Sequence, residues 1–133
     1  MKRQTLKDFL WLIVDDGSSD DTESIVAEWQ TADNGFEIQY IYQENGGLHT
    51  GYNTAIEHAK TELCICIDSD DYMPDDCVER IIRFWRKNGS DQVAGIVGLD
   101  YDLQGNCIAD PLPEQKTINL IDLTTGKYPI KNG

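Results

Sequence analysis

The stretch "FLWLIVDDGSSDDTE", Phe9 to Glu23, decides the fold. Its six apolar residues, Phe9 to Val14, stop abruptly at Asp15-Asp16-Gly17. A short continuous apolar run closed by a turn signal suits a strand covered on both faces, as in parallel sheets packed under helices. Ser18 to Glu23 then offers helix-start chemistry. Ser19 or Asp20 can accept from a free N–H of the first turn, and Glu23 is placed to reach back. Ile25, Val26 and Trp29 give that helix one apolar face, and Asn34-Gly35 stops it.

The unit then recurs along the chain. Phe36 to Tyr42 reads as a second strand, Glu44-Asn45-Gly46-Gly47 as a loop, and Thr50 to about Ala59 as a helix. A third strand is expected over Leu63–Ile67. After Pro74, Val78, Ile81, Ile82 and Trp85 repeat at the spacing of a core-facing helix stripe, which Asn88-Gly89 ends. A fourth strand is expected over Val93–Leu99, then a hairpin turning at Gln104-Gly105-Asn106 between Tyr101 and Ile108. Beyond Pro111 no period is clear. The alternation predicts an α/β domain, Rossmann-like, with a mainly parallel sheet and flanking helices. Residues 1–110 form it, and 111–133 read as a weakly structured C-terminal extension of the same domain.

The chain has 133 residues, enough for one hydrophobic core. Its net charge of −13 repels nucleic acid phosphates and anionic lipid, so no nucleic acid partner is expected. No apolar run approaches the roughly 20 residues of a membrane span. The cysteines, Cys64, Cys66, Cys77 and Cys107, form no C-x-x-C pair. Cys64 and Cys66 read as small buried hydrophobes on one strand face in a reducing cytoplasm.

"LCICIDSDDYMP", Leu63 to Pro74, repeats the pattern of an apolar run ending in carboxylates, here Asp68, Asp70 and Asp71. Like charges this close repel unless something compensates them. Right-handed crossovers bring strand C-termini to one edge, where open α/β sheets bind ligands. Asp15-Asp16 and Asp68-Ser69-Asp70 are therefore expected to face one crevice. A hard divalent cation, Mg²⁺ or Mn²⁺, held by one or two carboxylates plus substrate phosphates and water, supplies the compensation.

"DFLWLIVDDGSSDDT", "QENGGLHTGYNTAIEHAKTE" and "CICIDSDDYMP" stand in the order and spacing of the family 2 glycosyltransferases, which the chain resembles from about Gln4 to Asn106. The resemblance implies a GT-A fold and a metal-assisted, inverting transfer of a sugar from a nucleotide-diphospho-sugar to a hydroxyl acceptor, a polysaccharide or glycolipid precursor. It assigns Asp16, with Asp15 beside it, to the nucleotide base. Asp68 goes to the ribose or sugar and shares the metal with Asp70, on the diphosphate. Gly46, Gly47 and Asn53 shape the nucleotide side. Leu48 stands where many members carry a basic residue.

The resemblance also implies that the family's first strand and the catalytic base both lie outside this chain. The expected molecule is a partial, inactive donor-binding piece of a hexosyltransferase-type enzyme that works in the cytoplasm or at the inner face of a membrane. Its unpaired strand edges are expected to drive homodimer formation. Two rival readings are a receiver-type signalling domain with a Mg²⁺-binding Asp cluster and a non-catalytic nucleotide-binding remnant. The receiver reading leaves Gly46-Gly47 unexplained and lacks the Lys it requires.

Overall fold

A computed structural model of the chain describes residues 1–108, 117–119 and 121–122. It divides into two compact units, Met1–Gly95 and Ile96–Gly133. The first unit contains β1 (Leu10–Asp16), α1 (Thr22–Thr31), β2 (Glu37–Gln43), α2 (Leu48–His58) and α3 (Cys77–Asn88). β1 and β2 run parallel, with Leu10 opposite Glu37 and Asp16 opposite Gln43. A parallel pair needs a crossover, which α1 provides. α1 buries Val26, only 2% exposed, alongside Ile38 of β2. Trp29 of α1 stacks on Trp11 of β1 at 5.4 Å, and Phe9 on Phe36 at 4.4 Å.

Asp15 ties the two strands together. Its Oδ2 accepts from the Tyr40 hydroxyl at 2.5 Å and its Oδ1 from the Ser18 backbone N–H at 2.7 Å. Burial acts to raise this carboxyl, but hydrogen bonds from Tyr40 and Ser18 outweigh it and hold the group below its usual 3.8. The same bond pushes the Tyr40 phenol up to about 12, because ionisation would set phenolate against carboxylate.

The N-terminal segment is clamped to the start of α3. Gln4, buried at 4% exposure, donates through Nε2 to Pro74 O at 2.7 Å and accepts at Oε1 from Val78 N at 3.0 Å. Thr5 N donates to Asp75 O at 2.8 Å, and Thr5 Oγ1 to Glu79 Oε2 at 2.9 Å. Asp76, the residue before α3, makes no side-chain cap.

Two expected strands do not form. Neither Leu63–Ile67 nor Val93–Leu99 joins a ladder, so the sheet has two strands, β1 and β2. Apolar composition marks a segment for burial, but a strand exists only where a neighbour supplies hydrogen-bond partners. Among the described residues β1 pairs with β2 alone. Cys64 and Cys66 are accordingly exposed rather than buried, and Ile65 is 51% exposed. Val26, Ile38 and Val78 are the buried apolar side chains of the described residues.

In the second unit the expected hairpin is present. Tyr101 bridges Cys107 antiparallel, and Gly105 turns at φ +83°. Nearly all of the expected extension over 111–133 lies outside the described residues.

Val26→Ala is expected to lower stability by about 2 kcal/mol, read as a fall in the urea midpoint without a change in slope. In ultraviolet titration the slowest tyrosine should ionise near pH 12 in the wild type, and Asp15→Asn should return it toward ~10.

Candidate functional site

A groove of about 1580 Å³ opens beside β1. Leu10 to Val14 line one part of it and Leu63 to Asp71 another, with Tyr52 of α2 and Val78 of α3 also contributing. Asp16, Asp68 and Asp70 all line this groove. Asp15 does not line it and turns to Tyr40 instead. Gly46, Gly47 and Asn53 also lie outside the lining; Asn53 is exposed on α2.

Asp16 sits at the end of β1, and its carboxylate organises the loop before α2. Oδ2 accepts from Gly47 N at 2.8 Å. Oδ1 accepts from Gly46 N at 3.0 Å and from Gln43 Nε2 at 2.6 Å, with Thr50 Oγ1 at 3.4 Å. A negative group at this helix start complements its exposed N–H dipoles. The Gly46 N–H, then Gln43, hold the carboxyl below its usual 3.8.

Gln43 continues the network, its Oε1 accepting from Thr54 Oγ1 at 2.5 Å. Glycine is required on both sides of the joint. Gly17 has φ +84°, and a Cβ there would stand 2.8 Å from Asn45 N. Gly47 has φ +87°. A Cβ on Gly46 would meet Thr50 Oγ1 at 2.6 Å.

Asp68 and Asp70 are in a different situation. Both are exposed, on a turn closed by Asp71 N donating to Asp68 O at 3.1 Å. Among the described residues neither side chain enters a hydrogen bond or ion pair. Across the groove, a hydrogen bond with the Cys66 thiol, with the Asp68 charge nearby, pushes the Tyr52 phenol up. Leu48, 74% exposed, stands on the lining where it can make no ionic contact.

Sequence reasoning missed Gln4, Tyr40, Gln43 and Tyr52. Only Gln43 had a readable signal: a parallel register that aligns two strand ends sets it beside Asp16.

Asp16 is predicted to act through the loop. Its carboxyl is lowered in the folded state, so its contribution is complete above the unfolded value and lost as pH falls below 3.8 through the folded one. Amide exchange at Gly46 and Gly47 should therefore stay slow from pH 7 to about 5. Asp16→Asn should abolish that protection throughout the range.

Residues 1–126 match the family described as Glycosyl transferase family 2. The putative glycosyltransferase EpsH of Bacillus subtilis is 39% identical over 62% of this chain and 24% of its own length. The chondroitin synthase of Escherichia coli is 33% identical over 80% of the chain and 15% of its own length. An undecaprenyl-phosphate 4-deoxy-4-formamido-L-arabinose transferase of Klebsiella pneumoniae is 26% identical over 87% of the chain and 34% of its length. The chain thus spans about a third or less of each of these relatives. No solved structure matches. Parallel strands with flanking helices agree with a partial GT-A fold. With nearly its whole length under the family match, this chain belongs to glycosyl transferase family 2.

Proposed function

We propose that this chain is the donor-binding part of an inverting, metal-assisted glycosyltransferase that uses a nucleotide-diphospho-sugar. One observation carries the reading: Asp16, Asp68 and Asp70 share one groove, and the side chains of the last two are not engaged by the described residues. Two exposed carboxylates on one turn fit a hard cation that keeps water and substrate phosphates in its shell. Asp70 would hold Mn²⁺ or Mg²⁺, with Asp68 between it and the ribose or sugar. When bound, the cation supplies neutralisation of the charge that builds on the leaving diphosphate.

The chain's own residues bind and orient the donor. The Asp16 end of the groove, held rigid by Gly46 and Gly47, would receive the nucleotide. Asp15 would support it from behind through Tyr40, and Asn53 from the outer face of α2. The acceptor is a hydroxyl compound of the polysaccharide or glycolipid-precursor class, in keeping with the names of two relatives. The base that deprotonates it belongs to another part of the enzyme, so the isolated chain binds donor without turnover. Cytoplasmic work, in solution or at the inner face of a membrane, suits the free thiols Cys64, Cys66 and Cys77. No helix among the described residues is long and apolar enough to cross a membrane. Among the described residues β1 pairs along one edge alone, and the other edge favours a homodimer.

Calorimetry with UDP, GDP and dTDP is expected to show at least one of them binding more tightly in Mn²⁺ than in chelator, and Asp70→Ala should remove the difference. Equal affinity in metal and chelator for all three would refute metal-assisted donor binding. Sedimentation at micromolar concentration is expected to show dimer, shifted toward monomer by Ile65→Lys.

A further inference from the structure

The turn that carries Asp68 and Asp70 is poorly held from upstream. Leu63–Ile67 forms no ladder. Among the described residues Thr61 Oγ1 hydrogen-bonds that run, to Leu63 O at 2.9 Å and with Cys64 Sγ at 3.9 Å, while Trp85 Nε1 holds the adjacent Glu62 Oε1 at 2.9 Å. Downstream, Pro74 lies four residues beyond Asp70, and there the N-terminal segment takes hold. Gln4 uses both ends of its amide, donating to Pro74 O and accepting from Val78 N. It is the one uncharged polar side chain buried among the described residues, and it joins positions 70 and 74 residues away.

The Val78 N–H belongs to the first turn of α3, where helix donors lack internal partners. Since Asp76 makes no cap, Gln4 supplies one from across the fold. Thr5 and Arg3 add a backbone bond to Asp75, a hydroxyl bond to Glu79, and an exposed ion pair to Asp75 at 3.0 Å.

We infer that Gln4 is a positioning residue for the Asp68–Asp70 turn: by fixing Pro74 and Val78 it sets where the two carboxylates enter the groove. The inference rests on the metal-and-diphosphate reading of that turn and goes beyond it, because the Gln4 amide is engaged by Pro74 O and Val78 N rather than by a carboxylate of the turn. A ligand-bearing turn anchored on one side loses its preorganisation when the anchor goes. Supporting contacts of this kind are worth about 10–100-fold in metal affinity.

The test compares Gln4→Met, which keeps the length and apolar stem but loses both bonds, with Val26→Ala, which weakens the core beneath α1. Gln4→Glu provides a second variant that keeps an acceptor for Val78 N and loses the donor to Pro74 O. Each chain is titrated with Mn²⁺ in saturating UDP, GDP or dTDP, followed by the Mn²⁺ spin-resonance signal. Nucleotide affinity is also measured in chelator, and folding is checked by circular dichroism.

Both Gln4 variants are expected to weaken Mn²⁺ binding about 10–100-fold with chelator affinity unchanged, while Val26→Ala leaves both at wild type. A folded Gln4 variant with wild-type Mn²⁺ affinity overturns the inference. So does equal loss in metal and chelator, or the same loss in Val26→Ala. Should both Gln4 variants fail to fold, Gln4 is a structural residue and the inference is overturned. A wild-type chain that binds nucleotide but no Mn²⁺ overturns the metal reading itself, a result visible before any variant is made.

Discussion

The Asp16 carboxylate is the joint on which the site end of the molecule depends. One side chain, at the end of β1, collects the last side chain of β2 and the two glycine amides of the loop before α2. Charge-assisted bonds of this kind are stronger than neutral ones, and two of these donors are backbone N–H groups with no rotamer freedom to lose. The loop is therefore pressed against the strand end, and Asn45 Nδ2 reaches Asp16 O at 2.9 Å. Only glycine fits at position 17 under that approach. The position of one wall of the groove follows from this single ionised group.

A second constraint acts in the opposite sense. β1 is built for burial on both faces and, among the described residues, has a hydrogen-bonded neighbour on one edge only. Leu12 and Val14 stay half-buried, and Leu63–Ile67 passes nearby without a ladder. The first unit is held together less by core volume than by polar ties between elements distant in sequence. Asp15–Tyr40, Asp16–Gly47 and Gln4–Val78 are of this kind. Such ties are directional, and they fix the carboxylates in place better than a loosely filled apolar core would.

This division explains which parts of the molecule were legible in the sequence. The Phe9–Val14 run, the α3 stripe and the Gln104-Gly105-Asn106 turn are local patterns, and each appears where its period placed it. α2 begins at Leu48 rather than Thr50 because Gly47, at φ +87°, lets the chain enter the helix early. Leu63–Ile67 misled for a physical reason. Alternating cysteine and isoleucine record a preference for a pleated, covered surface, while the partner that would realise it is a matter of the whole sheet. Gln4 was invisible for the same reason. A glutamine near the start of a chain says nothing about a helix that begins more than seventy residues later. Asp16, Asp68 and Asp70 line one groove as expected, although the strand expected to carry the last two does not form, so the crossover argument does not account for it.

Four carboxylates at the ends of two apolar runs are compensated in two different ways. Asp15 and Asp16 are neutralised from within, by a phenol, an amide and backbone N–H groups, and both are held more acidic as a result. Asp68 and Asp70 receive no such donors from the described residues. A protein that needed only to satisfy its charges could have placed a Lys or Arg on this turn. Leu48 and Tyr52 line the groove with it, and among the described residues neither the Arg3, Lys60 and Arg86 of that lining nor any other cation pairs with it. On the proposed reading, a turn left negative beside a groove whose other end is tied down by Asp16 suits a ligand that brings its own positive charge, as a cation-bound diphosphate does. The carboxylates engaged by the protein shape the groove, and the unengaged ones are free to hold what enters it.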